Sequence, residues 1–168
     1  MEQWDSLVRV RAAEPDDFAA VARLTVDIYV GEGHVPAQSP YVAELGDTET
    51  RAKDAEVLVA VRDSEVVGSL TIARPGTPYA DIARPGELEF RMLAVSPQAR
   101  GAGVGTALVR AVLDTAAAEG FEAVVLTTMP TMAAARRIYQ RSGFLHAADR
   151  DWQTDAGLPL TVMRRATT

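Results

Sequence analysis

From Glu87 to Thr106 the chain reads ELEFRMLAVSPQARGAGVGT: a strand-like run, a proline, then a glycine at every second position. Val104, Leu108 and Val112 follow at helical spacing, so the order is strand, glycine turn, helix. Such a turn binds anions by construction. Gly101, Gly103 and Gly105 let successive N–H groups point outward, and the helix start adds unpaired donors with the positive end of its dipole behind them. Arg100 would add charge and bidentate geometry toward a phosphate. Along the strand, period two puts Leu88, Phe90, Met92 and Ala94 on one face and Glu87, Glu89, Arg91, Leu93 and Val95 on the other. A β-bulge would scramble that alternation part-way.

The flanks predict an α/β order. Leu7–Arg11 alternates like a half-buried strand. A helix starts near Glu14-Pro15-Asp16-Asp17 and presents Phe18, Val21, Ala22, Thr25 and Ile28; Gly31–Pro40 is a loop, and a second short helix runs to about Lys53. Val57–Val61 and Val66–Ile72 form a hairpin, and Ala123–Thr127 is a strand. A helix from Thr131 to Ser142 ends at Gly143, and two strands near Phe144–Ala148 and Leu158–Arg164 close the chain. The order β-α-α-β-β-β-α-β-α-β-β has antiparallel pairing first and one β-α-β crossover at its centre.

The 168 residues, 48% hydrophobic and 24% charged, predict one domain over 1–168. Without cysteine there is no thiol nucleophile, disulfide or cysteine-bound zinc, and a reducing cytoplasm fits. The first thirty residues, which include Asp16, Asp17 and Arg23, resemble neither a signal peptide nor a membrane anchor. A net charge of −6 argues against nucleic-acid binding. The acid is concentrated early, with three Arg against ten Asp and Glu in residues 1–50. His34 and His146 lie far apart without metal-ligand spacing, so no metal site is expected.

Spacing narrows the ligand. A dinucleotide fingerprint needs glycine where Thr106 stands, and a P-loop needs a following Gly-Lys-Ser/Thr; neither is present. A purely structural tight turn stays open as the other reading.

Arg100-x-x-Gly103-x-Gly105, within the string Glu89 to Gly105, resembles the acetyl-CoA pyrophosphate motif of the GNAT N-acetyltransferase family. Ala135-Arg-Arg-Ile-Tyr139-Gln-Arg-Ser-Gly143-Phe144 resembles the helix and Gly-Phe pair that close its cofactor site. One departure is Met132, where many members carry Asn. The resemblance implies a single-domain GNAT fold: a mixed central sheet of about seven strands, helices on both faces, and splayed strands forming an acetyl-CoA cleft. It further implies cofactor contacts at Leu93, Ala94, Val95, Arg100, Gly101, Ala102, Gly103, Val104, Gly105, Thr106 and Tyr139. Leu93 and Val95 would polarise the acyl carbonyl through backbone N–H groups.

The implied reaction is acetyl transfer to a primary amine of a small molecule or peptide, by direct attack in a ternary complex. An alkylamine of pKa about 10.4 is mostly protonated at neutrality, so a positioned base helps. The match for that base is Glu89, with Glu87 in reserve; the other reading of Glu89 is a solvent-side carboxylate paired with Arg91. Tyr139 matches the acid, and it also falls where a helix-end tyrosine packs on Phe144. The acceptor side would comprise Tyr29, Glu32, His34, Tyr41, Glu87, the segment 77–85 and Trp152, an acidic region suited to a cationic amine. A non-catalytic acyl-CoA sensor is the alternative function. Dimerisation is frequent in the family, and no residue here signals it.

Overall fold

Both faces of the central strands are apolar because helices cover both. In a computed structural model describing residues 7–168, β2 (Glu56–Arg62) and β3 (Glu65–Ala73) form the expected hairpin. Its two-residue turn, Asp63 and Ser64, has positive φ at both positions, matching the twist of the flanking strands. Leu58, Ala60, Leu70 and Ile72 face one core; Val57 and Val59 face another on the opposite side.

The other elements are β1 (Arg9–Ala12), α1 (Phe18–Tyr29), α2 (Tyr41–Gly46), α3 (Thr48–Asp54), β4 (Glu87–Val95), α4 (Val104–Ala118), β5 (Ala123–Thr128), α5 (Ala133–Arg141), β6 (Leu145–His146), β7 (Trp152–Gln153) and β8 (Pro159–Ala166). They form a mixed sheet of order β1-β2-β3-β4-β5-β8-β6, with β7 pairing β8, and the β4–β5 pair is parallel. This is the expected mixed α/β fold, with an eight-stranded sheet where about seven strands were expected. The largest core lies under α4 and α5, packed on Leu88, Phe90, Val124 and Leu126. A second joins α1 and α2 to Met92 and Ala94.

Three details differ from the sequence reading. The helix expected up to Lys53 is two, α2 and α3. The break falls at Asp47, whose carboxylate accepts the Thr50 N–H at 3.2 Å and so caps the second helix. The closing region holds three strands rather than two, β7 being too brief, at two residues, to leave a periodic signal. The period-two face of β4 is also broken. Met92 has φ +61, and Met92 and Leu93 together oppose the single residue Leu70. This bulge moves Met92 and Ala94 to the α1 side and returns Leu93 and Val95 to the side of Leu88 and Phe90.

Candidate active site

β4 and β5 are paired only from Glu87 to Glu89, opposite Ala123 to Val125. Beyond Glu89 they part. Ser96 N–H donates to Val67 O at 2.8 Å, which fixes the parity of the β4 edge. Ala94 is therefore bonded to β3, whereas the backbone groups of Leu93 and Val95 face the gap. Ala94, expected among the cofactor contacts, turns both its side chain and its hydrogen bonds away from the gap.

The gap opens into a cavity of about 610 Å³. Its walls are Leu93 and Val95, the turn Arg100–Thr106 except Ala102, one side of α5, and Ile28, Glu32 and His34 across from them. Gly103 has φ +79, a left-handed conformation that lets the chain enter α4 with its amides turned outward. The N–H groups of Gly101, Gly103, Val104, Gly105 and Thr106 donate to no backbone acceptor among the described bonds. Gly105 serves close approach instead, since a Cβ there would lie 2.6 Å from Ile138 Cδ1, so α4 and α5 meet through it. Five free donors, Arg100, and Arg137 and Arg141 one turn apart on α5 suit a phosphate-bearing ligand with an extended arm running toward Leu93. A Cβ at Gly103 would meet open space, so only backbone strain opposes it. Gly103→Ala is expected to cost about 1–2 kcal/mol, read from the denaturant midpoint.

On the opposite side of β4, Glu89 is 1% exposed, and its Oε1 accepts the N–H groups of Ile82 and Ala83, both at 3.0 Å. It is neither solvent-facing nor paired with Arg91. Burial pushes its carboxyl above the usual carboxylate range, against the pull of those backbone donors. Arg91 instead reaches Glu44 at 3.2 Å, Asp81 at 3.5 Å and the Tyr41 hydroxyl at 3.1 Å, tying α2 to the loop before β4. Tyr41 is thus engaged by Arg91, and Tyr29 is buried in the α1–α2 core.

Glu87, expected on the acceptor side and as reserve base, is locked. It accepts Arg150 Nη1 at 2.8 Å, Arg164 Nε at 2.9 Å and the Arg84 N–H at 3.0 Å. Burial acts to raise its pKa, but these donors outweigh it and hold the carboxyl at about 2. A group that acidic is a poor base at neutrality.

Tyr139, expected as acid and cofactor contact, is buried in the main core and is not among the residues lining the cavity; it sits edge-on to Phe90 with ring centroids 5.7 Å apart, and 6.1 Å from Phe144. Burial raises its phenol well above the ordinary tyrosine range, so the hydroxyl keeps its proton. His34, by contrast, lines the cavity, with Nδ1 2.7 Å from Thr131 Oγ1. The sequence reading missed Ile28, Thr131, Arg137, Ile138 and Arg141 as lining residues. For α5 a signal existed: Ala134, Arg137, Ile138 and Arg141 form one stripe at helical spacing.

Residues 18–144 match the model of the Acetyltransferase (GNAT) family. The chain is 34% identical over 126 residues to an IAA acetyltransferase of Azospirillum brasilense, covering 74% of this chain and 73% of that protein. It is 35% identical over 118 residues to mycothiol acetyltransferase of Sanguibacter keddieii, covering 66% of this chain but only 37% of that longer protein. A Salmonella typhimurium acetyltransferase solved with acetyl-CoA superposes with a TM-score of 0.66 at 21% identity, covering 96% of this chain and 94% of that one. With its split sheet, its glycine turn and a family match over most of its length, the chain belongs to the GNAT family of acetyltransferases.

Proposed function

We propose that this domain is an acetyl-CoA-dependent N-acetyltransferase acting on a primary amine of a small molecule or peptide. The observation that carries the reading is the set of free N–H groups at Gly101, Gly103, Val104, Gly105 and Thr106, residues that line one cavity with Leu93 and Val95. Bound acetyl-CoA would supply an activated thioester. The Gly101–Thr106 amides and Arg100 would hold its pyrophosphate, and Leu93 and Val95 would take its arm along the open edge.

Glu89, at the point where the strands part, takes a proton on the acceptor side. Its raised proton affinity suits that task. Tyr139 keeps its Oη proton and would act on the leaving sulfur as a hydrogen-bond donor rather than as a strong acid, its burial raising the phenol's proton affinity. No helix among the described residues is long and apolar enough to cross a membrane; a chain without cysteine fits the reducing cytoplasm proposed as its setting.

Acetyl-CoA at a hundred times its Kd is expected to stabilise the fold by about 2.7 kcal/mol, a rise in Tm of roughly 5–10 °C, with no rise for NAD. An amine panel followed by thiol release then separates enzyme from sensor. Binding without release against any amine supports the sensor, and no rise at millimolar ligand removes the cofactor reading.

A further inference from the structure

The turn after α1 reaches across the cavity and touches both of its lips. Glu32 Oε2 accepts Arg100 Nη2 at 2.7 Å on the glycine-turn side, and His34 Nδ1 lies 2.7 Å from Thr131 Oγ1 on the α5 side. All four residues line the same cavity. The turn is built onto the helix end rather than hanging free. Glu32 N–H donates to Ile28 O at 3.2 Å, and the N–H groups of His34 and Val35 both donate to Tyr29 O at 2.9 Å. The carboxylate is therefore delivered to Arg100 from a fixed platform, at the place where the turn's free amides gather.

We propose that Glu32 is an internal competitor for Arg100, occupying the guanidinium until the pyrophosphate of the cofactor displaces it. The inference rests on the cofactor reading above and adds a positioning residue to it. Glu32 takes the Nη2 donor of Arg100, one that a phosphate oxygen reaching this guanidinium would also seek. Both side chains are partly exposed, at 43% and 33%, so the internal pair is weak enough to exchange. Displacement has a second result: the freed carboxylate stays in the cavity wall, with His34 Nε2 3.8 Å from its Oε1.

Isothermal titration of CoA, and of pantetheine as a probe without phosphates, tests the competition in the wild type, Glu32→Gln, Arg100→Gln and the double variant. Glu32→Gln is expected to tighten CoA binding about two- to fivefold, the equivalent of an exposed ion pair, and to leave pantetheine unchanged. Arg100→Gln is expected to weaken CoA about tenfold and to reduce the gain from Glu32→Gln to less than twofold. Unchanged or weaker CoA binding in Glu32→Gln overturns the proposal, as does an equal gain in the Arg100→Gln background, which would mark a general field effect. A wild type that binds pantetheine and CoA equally also overturns it. A wild type that binds neither overturns the cofactor reading itself.

Discussion

Glu89→Gln is expected to lower kcat/KM by about 10²- to 10⁴-fold while leaving CoA affinity unchanged. The substitution is isosteric, and its side-chain oxygen can still accept the Ile82 and Ala83 N–H groups that hold Glu89 Oε1, so the buried site stays satisfied. Only the capacity to take a proton is lost. A base works in its deprotonated form, so wild-type activity should fall as pH drops through the pKa of Glu89. Burial raises that value above the usual 4.5, and the acid limb is displaced upward accordingly. In Glu89→Gln the limb disappears from the residual rate. A variant of wild-type rate, or one that loses CoA binding as well, places the base elsewhere.

The second large effect is on stability. Glu87→Gln leaves the Arg150 guanidinium, with only 8% of its side chain exposed, without its counter-charge. Breaking a buried pair from one side costs about 3 kcal/mol or more, roughly 6–12 °C in Tm for a chain of this length. The folded-state pKa of Glu87 is depressed to about 2 from 4.5. Its contribution is therefore complete above about pH 4.5 and is lost as the pH falls toward 2. The gap between wild type and Glu87→Gln should be widest near neutrality and close over that window in chemical denaturation. A gap that persists at pH 2 would mean that the glutamate acts through packing rather than charge.

What was legible in the sequence was local. The hairpin, the glycine turn and the C-terminal ends of α4 and α5 each rest on residues within a few positions of one another, and they appear within a residue or two of where the spacing put them. The β4 bulge is set by packing on both sides of the sheet, so alternation failed from Met92 onward. The partners of Glu87, at Arg150 and Arg164, lie more than sixty residues away, and no periodicity carries that information. Arg51 is the clearest omission. At 1% exposure it donates to Thr71 Oγ1 at 3.0 Å and to Glu44 O at 2.7 Å, a buried cation satisfied by neutral acceptors in the α2–α3 corner. In the sequence it is one arginine in a charged run.

An open sheet edge is adhesive, and proteins usually blunt or cover theirs to avoid recruiting other chains. Here two edges face each other inside the sheet beyond Glu89, screened by α4, α5 and the turn after α1. A chain docking on the outer rim of the sheet does not reach this inner edge. A slim, unbranched molecule bearing amides can reach it. The fold thus turns this unpaired edge inward, onto the cavity, instead of leaving it on the rim of the sheet where another chain could pair with it.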